Sequence, residues 1–202
     1  MADLTISELK ELVLREIEAI HNIPVDQHLL DAVNLIYHHT QKLDGKVVIS
    51  GMGKAGQIAH NIATTLCSTG TTAVFLHPGE AQHGDLGLLK KNDVLMLISN
   101  SGRTREILEL IQLAKLLVPA IPIIALTGDA MSELAAKSKV ILHTGGPNEI
   151  CPLGLTPTTS TTVMTVLGDL VIVALMKKIN YTKADYALRH HSGYLGQKAK
   201  EE

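Results

Sequence analysis

Beyond residue 45 the chain alternates short apolar runs with longer segments whose apolar positions recur at helical spacing. Five runs have strand length: 46–50, 72–76, 94–98, 123–127 and 140–143. None alternates polar with apolar residues, so both faces of the sheet they form must be covered. Helical segments separate them over residues 54–69, 80–86 and 131–136, and one more carries Ile107, Leu108, Ile111 and Leu113 and stops near Pro119. This order predicts an α/β fold with a parallel sheet between two helical layers. After the fifth run, Thr156 is placed to cap a long helix and Pro157 to open it. Ahead of the first run, Leu9, Leu12, Val13, Ile17 and Ile20 mark a helix over 5–20. Pro24 interrupts the pattern, and a second helix is expected over 26–43. A helix pair leading into a sheet hints that this segment, about residues 4–43, packs on another subunit.

Polar residues concentrate where strands give way to helices. In open parallel sheets, ligands sit beyond the carboxyl ends of the strands, where first-turn N–H groups and the helix dipole favour anions. Ser99-Asn100-Ser101-Gly102-Arg103-Thr104 lies at such a turn. A helix cap would explain one hydroxyl; three hydroxyls with a glycine point to an anion site that needs no metal. Gly51-Met52-Gly53-Lys54-Ala55-Gly56 occupies a second turn and matches G-x-G-x-x-G. The acidic residue that should close the next strand of a dinucleotide fold is absent, its place taken by Leu76-His77-Pro78. G-x-x-x-x-G-K-[ST] does not occur either, which excludes a nucleotide P-loop. What remains is a tight turn that lets the backbone approach a ligand and delivers Lys54 to the cleft.

Composition narrows the function classes. The 202 residues suit one domain, with 46% hydrophobic but only 2% aromatic residues, hence an aliphatic core. A formal net charge of -2 gives no electrostatic footprint for nucleic acid. Cys67 and Cys151 form neither CxxC nor a disulfide framework, as expected in a reducing cytoplasm; Cys151 reads as a small packed residue. No signal peptide is evident, and the most apolar stretch, Val163 to Met176, is short for a bilayer and contains Asp169. A soluble, cytoplasmic protein is expected. His38 and His39 read as solvated helix residues, because no ligand pattern accompanies them.

Four segments together carry a resemblance. They are Gly51-Met52-Gly53-Lys54, the run His77-Pro78-Gly79-Glu80-Ala81-Gln82-His83-Gly84-Asp85-Leu86-Gly87, Ser99-Asn100-Ser101-Gly102, and Glu149-Ile150-Cys151-Pro152-Leu153-Gly154-Leu155-Thr156-Pro157-Thr158-Thr159-Ser160. Over roughly residues 30 to 200 the chain resembles the SIS (sugar isomerase) domain family, and within it the arabinose 5-phosphate isomerases. The resemblance implies a three-layer α/β/α sandwich around a five-stranded parallel sheet, in a single SIS domain without the CBS modules many members carry. It also implies interconversion of ribulose 5-phosphate and arabinose 5-phosphate for Kdo, on the way to lipopolysaccharide or capsule. No cofactor or metal is implied. A homotetramer with clefts shared between subunits is.

An aldose–ketose interconversion moves a proton between C1 and C2 through an enediol(ate), so it needs a base, charge near O1 and O2, and a clamped phosphate. By resemblance, Ser99, Ser101 and Thr104 hold the phosphate, with Gly53 and Asn100 in the substrate site; the charge of Arg103 beside the turn adds it to that site. Lys54 supplies charge, Glu149 is the first choice as base, and His83 and His190 shuttle protons or orient the sugar from neighbouring subunits. The chain departs from the family pattern in three places, one of them Ala55, which replaces a frequent serine after the lysine. Arg103 stands where members commonly have glutamate, and it cannot act as a base; Glu149 or Glu106 must then carry the proton transfer. His190-His191-Ser192-Gly193 replaces His-Pro-Gly-Gly. Arg103 is expected to favour acidic ligands, with feedback by a downstream acidic sugar nucleotide at the same cleft. A non-catalytic sugar-phosphate sensor and an isomerase of another phosphosugar, such as a hexulose phosphate, are the alternative readings.

Overall fold

The computed structural model describes residues 4–199. Its centre is a sheet of five parallel strands: β1 (Val47–Gly51), β2 (Ala73–Phe75), β3 (Val94–Ile98), β4 (Ile123–Thr127) and β5 (Val140–His143). They lie in the order β2-β1-β3-β4-β5. The topological switch therefore falls between β1 and β3, which pair in register from Val47↔Val94 to Gly51↔Ile98. Every residue of β1, β3 and β4 is buried, so the missing alternation in their sequences reflects cover on both faces.

Successive strand residues point to opposite faces and enter two separate cores. Val47, Ile49, Val94, Met96 and Ile98 pack against α2 (Gln27–Tyr37), α3 (Gly53–Ser68) and α7 (Thr159–Lys178). Val48, Leu95 and Leu97 pack beneath α5 (Arg105–Leu117), with Ala81 of α4 (Pro78–Ala81) and Leu134 of α6 (Glu133–Ala136). Truncating Ile49, Leu95, Met96, Leu97 or Ile98 to alanine should cost about 2–5 kcal/mol. At the amino ends of β1 and β3, Lys46 Nζ meets the buried Asp93 carboxylate at 2.6 Å, and the Lys46 and Lys90 N–H groups also donate to it. Those polar groups close on one another.

Several element boundaries differ from the sequence reading, each for a local reason. The second helix reaches Lys42 through a π-helical turn, His38–Lys42, in which the His39 ring lies 2.8 Å from Asn92 O. His39 is thus a tether between segments and not a solvated residue. The expected helix over 80–86 is two pieces, α4 and a 3-10 turn over Asp85–Leu88, separated by Gly84 at φ 120°. The long helix starts at Thr159, so Thr156 does not cap it and Pro157 lies outside it. At 20 residues α7 has the length and composition of a membrane span, the only such helix among the described residues, yet half of its apolar window is buried inside the fold. Two C-terminal helices, α8 (Lys183–Arg189) and α9 (Gly193–Lys198), complete the chain.

The first helix is lightly covered. α1 (Ile6–His21) is held by a Thr5–Glu8 capping box and buries Ala19. It leaves Ile6, Leu9, Val13, Ile17 and Ile20 exposed along one stripe.

Candidate functional site

Three strand-to-helix connections meet at the carboxyl end of the sheet around a cleft of about 390 Å³. Met52, Lys54 and Ala55 come from the β1–α3 turn, Asn100 from the β3–α5 turn, and Asn148, Glu149, Gly154 and Leu155 from the loop between β5 and α7. Ser160, Thr161 and Met164 of α7 close its floor. Of the residues singled out in the sequence, Lys54, Asn100 and Glu149 therefore share one cavity.

The β1–α3 turn is tight because its glycines permit it. A Cβ on Gly56 would lie 2.6 Å from Gly51 O, so helix and strand pack backbone to backbone. Gly53 opens α3 at φ 57°, and Met52, the N-cap residue, makes no side-chain cap hydrogen bond. Lys54 projects from the first turn and is exposed.

The β3–α5 turn is braced from within. Ser99 is buried, its hydroxyl 2.7 Å from that of Thr104, and it accepts the Gly102 N–H at 3.1 Å. With its hydroxyl turned back to Ser99, Thr104 makes no side-chain cap on α5, so the first-turn amides have no acceptor from it. Gly102 takes φ 61°, and a Cβ there would run into Ser132. Ser101 accepts the Arg103 N–H at 3.2 Å and is exposed, as is Asn100. The Arg103 guanidinium donates to Asp129 Oδ2 at 3.1 Å. The Arg103 cation is thus held in an exposed ion pair beside the turn.

The third connection is wired in the opposite sense. Glu149 Oε2 accepts the Thr158 N–H at 2.7 Å, the Thr158 hydroxyl at 3.0 Å and the Ser160 N–H at 3.2 Å. A carboxylate nine residues upstream thus caps α7, where Thr158 itself gives no side-chain cap. Partial burial pushes the Glu149 pKa up, but the hydrogen bonds from Ser160 and Thr158 outweigh it and hold the group below the usual carboxylate value. The same loop is fastened at Cys151, whose sulfur accepts N–H groups from Leu155 at 3.3 Å and Thr156 at 3.1 Å. Desolvation raises that thiol, the Thr156 and Leu155 amides more than offset it, and its pKa falls to about 7. Cys151 is more than packing, and only the folded loop reveals it.

The remaining candidates lie elsewhere on this chain. His83 is exposed after α4, beyond the carboxyl end of edge strand β2, and does not line the cleft. His190 follows α8, stacked on Tyr186 at 3.7 Å between ring centroids with Nδ1 3.0 Å from Tyr186 O. Glu106 is on α5, 4.0 Å from Arg105, and does not line the cleft either. Two residues absent from the sequence reading do belong here. Arg15 donates to Glu149 O at 3.3 Å, and Glu16 accepts the Thr159 hydroxyl at 2.7 Å. No spacing in the sequence links α1 to residue 149.

Comparison with known proteins agrees with this architecture. A chain from Bacteroides fragilis NCTC 9343, a candidate phosphosugar isomerase involved in capsule formation, is 57% identical with TM-score 0.92, over 94% of this chain and 98% of that one. E. coli CFT073 c3406, solved in complex with arabinose 5-phosphate, is 35% identical with TM-score 0.84, over 93% of this chain and 100% of that one. The arabinose 5-phosphate isomerase KdsD of Francisella tularensis (strain SCHU S4) is 45% identical over 91% of this chain. The chain spans 56% of that relative's length, so it matches about half of the longer protein. The SIS domain model matches residues 43–174. The chain belongs to the SIS domain family.

Proposed function

We propose that this chain is an aldose–ketose isomerase that interconverts ribulose 5-phosphate and arabinose 5-phosphate. The observation that carries this reading is the meeting of Lys54, Asn100 and Glu149 in one cleft at the switch point of the sheet. Its resemblance to a structure solved with arabinose 5-phosphate, all of which this chain covers, gives the substrate class.

Each group has a role that its placement supports. The phosphate sits at the start of α5, where the Thr104 side chain caps no amide, with Ser101 and Asn100 at the rim and Ser99 and Thr104 bracing the turn. Gly53 lets the backbone come close on the other side. Arg103, steadied by Asp129, adds a second cation and draws acidic ligands, including a downstream acidic sugar nucleotide acting as feedback inhibitor. Glu149 is ionised at neutral pH and takes the proton from C1 or C2, while Lys54 stabilises the charge that develops on O1 and O2.

His83 and His190 complete the site from neighbouring subunits of a homotetramer. The exposed apolar stripe of α1 supports assembly, since Ile6, Val13 and Ile17 are 69%, 59% and 55% exposed in one chain. The product enters Kdo synthesis, for lipopolysaccharide or capsule, in the cytoplasm. Incubating the protein with ribulose 5-phosphate and following the sugar by ¹H NMR tests the activity. Appearance of arabinose 5-phosphate is expected, and tight binding without conversion would instead make the protein a sensor.

A further inference from the structure

The peptide unit that follows Glu149 is held at both of its polar atoms, by Arg15 of α1 on one side and by Thr159 of α7, backed by Glu16 of α1, on the other. Its carbonyl oxygen, Glu149 O, accepts from the Arg15 guanidinium at 3.3 Å. Its N–H, that of Ile150, donates to the Thr159 hydroxyl at 3.1 Å, and that hydroxyl donates to Glu16 Oε1 at 2.7 Å. Thr159 is 1% exposed, and Glu16 Oε2 is buried with no hydrogen-bond partner among the described residues. A buried carboxylate oxygen without a partner costs free energy that packing alone does not require, and the other oxygen's bond goes to Thr159, the residue that holds the Ile150 amide of the loop carrying the base.

We infer that Arg15 and Glu16, consecutive residues of α1, are positioning residues that fix the backbone of Glu149 for proton transfer. The inference rests on Glu149 being the base. The chain of contacts runs Glu16 to Thr159 to Ile150 on one side and Arg15 to Glu149 O on the other, so the peptide plane cannot rotate. The Glu149 carboxylate is held separately by Thr158 and Ser160. With both grips in place, its reach into the cleft is set from two directions. An error of about 1 Å in such a group can cost about a hundredfold in rate.

The test combines amide hydrogen exchange with kinetics on the intact protein. In Glu16→Ala and Thr159→Val, exchange of the Ile150 amide should accelerate while exchange in β3 stays as in wild type. The kcat should fall by about ten- to a hundredfold, with KM for arabinose 5-phosphate within about twofold. Glu16→Gln, which keeps an acceptor for Thr159, and Thr159→Ser should restore most of kcat. The exposed Arg15→Ala should show a smaller loss of kcat without loss of folded protein. The inference is overturned if Ile150 stays protected in Glu16→Ala, if kcat is unchanged where the amide is released, or if Glu16→Gln is as damaged as Glu16→Ala. Wild-type protein that exchanges as described but does not interconvert the two sugars would sink the activity and leave the clamp standing as a feature of the loop.

Discussion

Two helix starts on this sheet show how one device serves two ends. At α7 the first-turn amides are already taken, because Glu149 Oε2 accepts from Thr158 and Ser160. At α5 the hydroxyls that could have done the same bond one another, Ser99 to Thr104 at 2.7 Å, and the N-cap gives no side-chain acceptor. An internal anion fills the first positive helix end, and the second has no side-chain anion of its own. On the proposed reading the difference separates reaction from recognition: the filled end fixes the base, the open end the substrate. At the amino ends of β1 and β3, by contrast, Asp93 and Lys46 close on one another in an ion pair.

The largest expected effect breaks the filled end. Glu149→Gln keeps acceptors for Thr158 and Ser160 but loses the base, so kcat should drop by about 10²–10⁴-fold while substrate binding is spared. A steady-state comparison with wild type measures this. Next comes the open end. Gly102→Ala meets Ser132 and must hold φ 61°, which costs about 1–2 kcal/mol for the backbone alone. Its damage should fall on KM for the sugar phosphate and on the urea midpoint, with kcat least affected. A KM unchanged by that substitution would remove the β3–α5 turn from the phosphate site.

Two smaller effects sharpen the contrast. Arg103→Ala breaks an exposed pair, 75% and 34% exposed for the two side chains, so folding stability should change by less than about 1 kcal/mol. Its KM for substrate should rise a few-fold at low salt, with the difference shrinking as ionic strength grows. Inhibition by an acidic sugar nucleotide should weaken alongside. The last effect is one of pH. Because the folded Glu149 pKa lies below its ordinary value, its hydrogen bonds stabilise the fold above the unfolded pKa of about 4.3. That contribution is lost as pH falls through the lower folded value. The stability gap between wild type and Glu149→Gln should be flat above about pH 5 and close below about pH 4. A gap that widened on acidification would mean the carboxylate is not the cap of α7.

The strands were legible because each is a short, mostly apolar run, and β1, β3 and β4 are covered on both faces as such runs require. The polar turn between β3 and α5 was legible for a similar reason, since Ser99, Ser101, Gly102 and Thr104 lie within six residues and their chemistry is local. The start of α7 was not. Thr156-Pro157 has the local grammar of a helix start, but the cap comes from Glu149, and only the folded loop brings the two together. α8 announces itself through a capping box between Thr182 and Asp185, a local signal that the sequence reading passed over. The roles of Arg15 and Glu16 lay 134 and 143 residues from their partners, beyond any spacing rule. His83 and His190 match the family pattern in sequence, yet a single chain does not bring them to the cleft.

The contrast between the two helix ends is tested most directly by one NMR measurement on two proteins. Wild type and Glu149→Gln are each given ribulose 5-phosphate at saturating concentration, and the ¹H signals of arabinose 5-phosphate are followed with time. Wild type should form the aldose, and Glu149→Gln should bind the ketose with similar affinity and form the aldose at least about a hundredfold more slowly. Comparable rates from the two proteins would take the base away from the start of α7 and contradict the account.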